Sequence, residues 1–503
     1  MSSAWLPLVV RVLCVAALGR LVWVLVGYYV LERSERHHLE TAWMIFVVFA
    51  IVAAAGSPSM RTAQSRSRPV APPALAVWIA ASLLLYHQSL SLGLLSDDFV
   101  LLGLSPVGTE WQFFRPLPLT VWSMVYPLAG PAGFHVLNTT LHGINAFLVY
   151  RLSTMLLPDA SRIQSVAAAA VFLTFPAAVE PVSWAAGVFD VALVTATLTY
   201  LNALLTTTGS GPNVVALLAL AAALLCKETA VVVPVVGWSL LLVAPVHLGT
   251  LLWSTAMATA FAITRMFFTE APEITAPLGY FLKEMASRPF ATLGTPFTSD
   301  ELLQSPMVFG VVPQLLIAAL MAIYLMHVRH GARPLLPATW VLLGVAPLLS
   351  YFFISDTLQG SRYLYLPLVG WTIVIAQLSD GGDNRHLRLG GMLLVAGIVC
   401  YGVVGSIRHQ APWSAAAATR DAVLVEAQRA MAEQRCGAAS FADIPDSVEG
   451  AYVFRNGFAE AAQLAGIHVV AGDDAPAGCA FTWRDGSFAP APAAADSASP
   501  GTK

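Results

Sequence analysis

Charge is what this sequence has least of: charged residues make up 11% of its 503 positions, where a soluble domain carries about 25%. That scarcity excludes an ordinary soluble globule. With 57% hydrophobic residues and a mean hydropathy of +0.70, the chain reads as a polytopic membrane protein. A net charge of -3 supplies no basic surface, so nucleic acid is not an expected partner. No nucleotide-binding loop, metal-ligand spacing or internal repeat is found. Cysteine is also scarce. Cys14, Cys226 and Cys400 lie in apolar runs and read as small core residues, whereas Cys436 and Cys479 lie in a polar region and form a disulfide only if that region is extracytoplasmic.

What the chain has instead is long apolar runs. A span takes about 20 apolar residues, and candidates run near 5–30, 41–56, 73–95, 134–157, 163–181, 186–206, 213–227, 229–245, 247–268, 308–327, 335–354, 361–378 and 388–407. The expected fold class is therefore an all-α polytopic membrane protein of about thirteen transmembrane helices. The runs at 213–245 are short and read either as two spans or as one broken or re-entrant pair. No cleavable leader is evident, since the first run lacks a basic start and a small-residue cleavage site; Arg11 and Arg20 lie inside it.

Orientation follows from short-loop cations. Arg61, Arg66 and Arg68, then Arg151 and Arg162, Arg329 and Arg333, and Arg385 and Arg388 all fall on one side, which the positive-inside rule makes cytoplasmic. The N-terminus is then cytoplasmic, the C-terminal region extracytoplasmic, and the expected location a bacterial inner membrane. Four units are expected: two helices in 1–72, a membrane body over 73–410, a small extracytoplasmic α/β domain over 411–488, and a disordered Ala/Pro/Ser tail over 489–503. In the small domain, Ala451–Phe454, His468–Val470 and Cys479–Trp483 read as strands around a helix near Gly457–Ala465, after a helix over 413–435. Two segments, 96–133 and 269–307, read as interfacial elements roofing an outer cavity. The second carries Lys283, Glu284 and Arg288.

The outward-facing ends of the runs hold the polar residues. Ser96-Asp97-Asp98 follows the third run. Either Ser96 caps a helix that begins with two acids at its positive end, or one carboxylate is a general base for an attacking hydroxyl. His135, Asn138, His142 and Asn145 share a stripe at about 100° per residue and must face protein or a cavity rather than lipid. Asn145, deepest in the span, reads as a bundle clamp; His135 and Asn138, nearer the outer face, are site candidates. Asn138-Thr139-Thr140 matches a glycosylation sequon but sits at a helical membrane edge. Glu180 sits among prolines four residues before Trp184, a side chain suited to stacking on a sugar, and needs a partner. Asp190 opens the next helix, as an N-cap or as a site residue. Arg115, Lys227 and Arg362 are three cations suited to phosphate, with Glu228, Tyr363 and Tyr365 beside them; each cation also reads plainly as a side chain snorkelling to the interface.

Taken in order, Asp97-Asp98, Arg115-Pro116-Leu117, His135-x-x-Asn138-x-x-x-His142, Pro176-x-x-x-Glu180-x-x-x-Trp184 with Gly187 and Asp190, Lys227-Glu228 and Arg362-Tyr363-Leu364-Tyr365-Leu366-Pro367 resemble the GT-C membrane glycosyltransferases. The likeness is to the protein O-mannosyltransferase-like branch with tetratricopeptide-repeat relatives, over residues 75–380. The resemblance implies an inverting, mannosyltransferase-like hexosyl transfer from a polyprenyl-phosphate sugar donor to an extracytoplasmic acceptor (protein, lipid or glycan), amid membrane lipids. It implies an acid of the first outer loop as base, here Asp97 before Asp98. Arg115, Lys227 and Arg362 then fall on phosphate contacts, and Glu180 and Asp190 on substrate or structural positions. No cofactor is required, although paired acids leave a divalent cation open. Phe175-Pro176 stands where relatives often have His-Pro, and Gly187-Val188 where they have Gly-Arg; a small α/β domain stands where tetratricopeptides would. A lipid-linked-sugar transporter or flippase, and a non-catalytic relative acting as a binding protein, remain the alternatives.

Overall fold

A computed structural model describes residues 72–104, 114–157, 162–206, 211–268, 335–345, 354–355, 357–379, 385–471 and 474–491. The expected spans at 5–30, 41–56 and 308–327, the segment 269–307 and most of the tail lie outside the described residues. The fold is mostly helical, with a small strand region near its C-terminus.

Helix α1 (Pro72–Leu85) leads to the short α2 (Asp97–Gly103), which carries the acid pair. Helix α3 (Pro116–Leu156) starts on Pro116, whose missing N–H costs nothing in the first turn. It breaks at Gly130 (φ 59°, ψ -159°), a conformation open in practice only to glycine. This break separates residues 116–129 from the longer part of the helix, 131–156. The 96–133 segment thus holds two helices, joined through residues 105–113 outside the described set.

Helices α4 (Arg162–Thr174) and α5 (Val179–Ser183) are joined at Phe175-Pro176 with a bend of 54°. Then come α6 (Val188–Thr206), α7 (Val214–Cys226), α8 (Val233–Ser239) and α9 (Leu248–Phe268). After these follow α10 (Leu335–Val345) and α11 (Tyr365–Gln377). Helix α3 packs on α1, α4 and α6, and α11 packs on α4 and α10. The packing buries Phe134, Phe172, Leu152 and Tyr200 completely.

Among the described residues, two helices are long and apolar enough to cross a membrane, Ala185–Thr206 and Arg388–Gln434, and the bent α4–α5 pair makes a third if counted as one span. Three of the thirteen expected spans lie wholly outside the described residues, and the run at 163–181 is broken at Phe175 into two shorter helices. The run at 213–245 is such a broken pair: Lys227 is extended (φ -161°, ψ 144°) between α7 and a short 3-10 turn.

Helix α12 (Arg385–Gln434) is continuous for 50 residues, about 75 Å at 1.5 Å per residue. The expected boundary at 410/411 falls inside it. Pro412 removes one backbone donor, yet Trp413, Ala416 and Ala417 are buried and hold the helix on course. Its first half carries apolar side chains that are exposed among the described residues: Leu389, Leu393, Leu394, Val404 and Ile407. Cys400 lies exposed on the same helix rather than in the core, which corrects the expectation.

The C-terminal domain has a three-stranded sheet in the order β1 (Ser440–Ala442), β4 (Ala480–Arg484), β5 (Ser487–Pro490), with β1 and β4 parallel. A hairpin of β2 (Ser447–Val448) and β3 (Ala451–Tyr452) precedes helix α13 (Phe458–Leu464). The expected strand at His468–Val470 is a single bridge, Ala439 to Val469, and β5 runs past the expected end at 488 to Pro490. Phe441, Phe458, Phe481 and Phe488 pack face and edge in its core.

Cys436 and Cys479 form a disulfide with Cα atoms 5.8 Å apart, bridging a separation of 43 residues. Replacing both by serine frees a loop whose closure is worth about 4 kcal/mol. Thermal unfolding of the full chain, followed by protease release of the C-terminal domain, should register that loss; unchanged release kinetics count against it.

Candidate active site

The acid pair divides in two. Asp98 is fully buried, and its carboxylate accepts from the Leu95 N–H (2.8 Å) and the Ala186 N–H (2.8 Å), stitching the chain before α2 to the turn after Trp184. Burial pushes the Asp98 carboxyl well above its ordinary value, and the two backbone donors pull the other way. Asp97 is half-buried. Its Oδ1 accepts from the Asn456 amide at 2.6 Å and, more weakly, from the Ser96 hydroxyl at 3.4 Å.

Ser96 is not a cap. It makes no side-chain capping bond and sits at φ 52°, ψ -122°, a conformation unusual for a residue with a Cβ. Neighbours hold it there: its N–H donates to the Val453 carbonyl at 2.9 Å, and its hydroxyl accepts from the Asn456 N–H at 3.3 Å. Arg420, from α12, donates to the carbonyls of Leu92 (2.8 Å) and Leu94 (2.7 Å), tying down the irregular stretch that leads to the acids.

The turn 175–190 supplies the next layer. Glu180 is buried and paired with the Arg362 guanidinium, and also accepts from the Ser361 hydroxyl and the Arg362 N–H, each at 3.3 Å. Arg362 lies over the rings of Tyr363 (4.7 Å), Trp184 (4.9 Å) and Tyr452 (5.5 Å), and donates to the hydroxyls of Tyr452 (2.9 Å) and Tyr363 (3.0 Å). Burial pushes the Tyr452 hydroxyl above its ordinary range, so it stays protonated beside the pair.

Trp184 is buried under Tyr452 and Trp413, and its indole N–H donates to the Leu95 carbonyl at 3.1 Å. It is a covered wall rather than an open stacking platform, which corrects the expectation. Asp190 is not a helix cap either: it pairs with Lys227 at 2.6 Å, both groups buried. The Lys227 ammonium lies 4.7 Å from the Tyr363 ring centroid, so one ring touches both Lys227 and Arg362. Arg115 takes Glu228 in a two-bond fork (2.7 and 3.1 Å) and lies over Phe189 at 5.4 Å. Each of the three expected phosphate-binding cations thus has a carboxylate partner. A narrow slot beside the cluster is lined by Asp190, Lys227, Thr229, Gly344, Tyr363 and Leu366.

The polar stripe of α3 faces inward as expected, but it clamps the bundle at all four positions. His135 meets the Gly93 carbonyl (2.9 Å), and Asn138 donates to the carbonyls of Trp184 (2.8 Å) and Ala185 (3.2 Å). His142 and Asn145 both bond the Tyr365 hydroxyl, at 2.7 and 3.2 Å. His135 and Asn138 therefore shape the turns that carry the site, and Tyr365, fully buried, lies in the bundle interior instead of at the site. Full burial of Asn138 also removes the sequon reading.

Sequence reasoning missed Tyr452, Asn456, Trp413 and Arg420. Their only signal is compositional: a polar Arg455-Asn456 step after the apolar run 451–454, and an arginine in an otherwise soluble-looking helix. Among the described residues no three His, Cys, Asp or Glu side chains cluster to hold a metal ion.

No protein-family model matches the chain, and no solved structure matches it. A stretch of 144 residues is 35% identical to the Protein O-mannosyl-transferase Tmtc1 of Drosophila melanogaster, covering 27% of this chain and 16% of that relative. The likeness is to part of a much longer protein, and it falls on the type of chain that the motif order resembles.

Proposed function

We propose that the protein is a membrane glycosyltransferase of the inverting type, moving a sugar from a polyprenyl-phosphate donor to an extracytoplasmic hydroxyl. The observation that carries this reading is the division of labour in the acid pair. Asp98 is consumed by the fold, whereas Asp97 is half-buried at the end of the apolar body with one oxygen held and the other without a partner among the described residues. The partial likeness to a protein O-mannosyl-transferase supports the same chemistry. The Cys436–Cys479 disulfide supports an oxidising, extracytoplasmic setting for the C-terminal domain.

In this mechanism Asp97 takes the proton of the acceptor hydroxyl as its oxygen bonds to the anomeric carbon. The bond from that carbon to the phosphate oxygen breaks, and the phosphate leaves with the electron pair. Arg115, Lys227 and Arg362 stabilise the departing charge, each having to share its donors between a carboxylate and the phosphate. The exchange is easiest at Arg115, since its pair with Glu228 is the most exposed of the three, at 18% and 32% for the two side chains. Arg115→Ala is therefore expected to weaken donor binding by about 1–2 kcal/mol while leaving the fold intact. Titration of the protein with polyprenyl phosphate reads it directly, and unchanged affinity removes Arg115 from the phosphate site.

The decisive assay incubates purified protein with a total membrane lipid extract and follows lipids and acceptors by mass spectrometry. Loss of sugar-phosphate lipid with gain of a glycosylated acceptor supports transfer. Movement of lipid-linked sugar across a vesicle without transfer indicates a transporter, and the absence of any transfer overturns the enzymatic reading.

A further inference from the structure

The segment Ala451–Gly457 of the C-terminal domain reaches into the acid motif at five points. Val453 accepts the Ser96 N–H, Asn456 donates its backbone N–H to the Ser96 hydroxyl, and the Asn456 amide donates to Asp97 Oδ1 at 2.6 Å. Phe454 packs against Phe99, and Gly457 (φ 81°) lies so close that a Cβ there would meet the Ser96 carbonyl at 2.5 Å. The same segment sends Tyr452 to the Arg362–Glu180 pair. One stretch of five residues, 452–456, therefore touches both the open acid and the cation cluster.

We infer that the C-terminal domain is part of the active site and that Asn456 is a positioning residue for Asp97. This rests on the assignment of Asp97 as the base. Only one Asp97 oxygen is engaged: Oδ1 takes the amide and the weaker Ser96 contact, and Oδ2 has no partner among the described residues. A carboxylate on an otherwise free side chain samples several rotamers, and a single donor on Oδ1 selects the one that presents Oδ2 outward. Asn456 is itself exposed, so its amide is not needed to fill the core. The contact spans 359 residues of sequence and joins the first outer motif to the last domain. Arg455, beside Asn456, is exposed as well and lies over the Tyr452 ring at 5.6 Å.

The test compares Asn456→Ala, Asn456→Asp, Asn456→Gln and Asp97→Asn in the full chain, using the lipid-extract transfer assay at several extract concentrations. Asn456→Ala should lower the maximal rate by about 10- to 100-fold with the half-saturating extract concentration unchanged. Asn456→Asp, equal in shape but lacking the donor and adding a like charge, should be slower still. Asn456→Gln, which keeps the amide, should recover most of the rate. All four proteins should melt with the parent. Equal losses in the Ala, Asp and Gln variants, or a normal rate in Asn456→Ala beside an inert Asp97→Asn, overturn the positioning role alone. An active Asp97→Asn, or no transfer by the parent protein, overturns the base assignment and this inference with it.

Discussion

Asp97→Asn abolishes transfer, by about 10²- to 10⁴-fold, in a protein that still folds and melts normally. The loss follows from chemistry, because an amide cannot take the hydroxyl proton. The retained fold follows from placement, because Asp97 is half-buried and accepts bonds from Asn456 and Ser96 that an amide oxygen can also accept. Asp98→Asn has the opposite signature. Both Asp98 oxygens face backbone N–H groups, so an amide must turn its NH2 toward one of them and lose that bond in a buried place. A cost of about 1–3 kcal/mol, and a loosened turn at Ala185–Gly187, should appear as a lower melting point along with a slower rate. Initial rates and melting curves for the two variants, side by side, separate the roles. A folded, fully active Asp97→Asn beside a folded, inactive Asp98→Asn transfers the base assignment to Asp98.

Much of this division was out of reach of sequence reasoning, for physical reasons that differ from residue to residue. Adjacent acids point in different directions from a short helix, and which one turns inward depends on where the Leu95 and Ala186 N–H groups lie. The helical stripe from His135 to Asn145 was legible as buried, since its period is local. Its partners, carbonyls of Gly93, Trp184 and Val191 and the hydroxyl of Tyr365, were not, since they come from distant segments. The three cations were legible as a set by chemical type. Their carboxylate partners are contacts over 37 to 182 residues for Lys227–Asp190 and Arg362–Glu180, and no local pattern encodes them. The break at Phe175-Pro176 puts a proline inside the apolar run 163–181, which is why a span read as unbroken from hydropathy is two shorter helices bent by 54°.

The continuous α12 ties the C-terminal domain to the helices around the acid motif. One rigid rod carries Gln410, which bonds the Leu85 carbonyl and the Ser89 hydroxyl, then Trp413 against Trp184, then Arg420 on the Leu92–Leu94 stretch. The rod ends at the disulfide-closed domain that returns Tyr452 and Asn456 to the same place. A flexible linker at 410/411 would have spread Asn456 over many positions; a helix through that point fixes it.

Arg362→Ala should be the most damaging of the cation substitutions, at about 3–5 kcal/mol. Truncation leaves the Glu180 carboxylate, only 3% exposed, without its charge partner. It also empties the space among Trp184, Tyr363 and Tyr452, so cation–π contacts to three rings are lost with the ion pair. Arg362→Lys should not restore the parent, because an ammonium cannot reach Glu180, Tyr363 and Tyr452 as a planar fork does. Neutralising the acid in the same chain should help. Glu180→Gln in the Arg362→Ala background is expected to return about 1–3 kcal/mol of the loss, since the buried charge is then gone. Chemical unfolding of the single and double variants measures that coupling. Additive losses show that the pair is not what holds the turn, and an unchanged melting point in Arg362→Ala with weakened polyprenyl-phosphate binding frees this arginine for the donor. A large coupling with unchanged lipid binding instead makes Arg362 the strut between the 175–190 turn and the C-terminal domain, and leaves Lys227 and Arg115 to meet the phosphate.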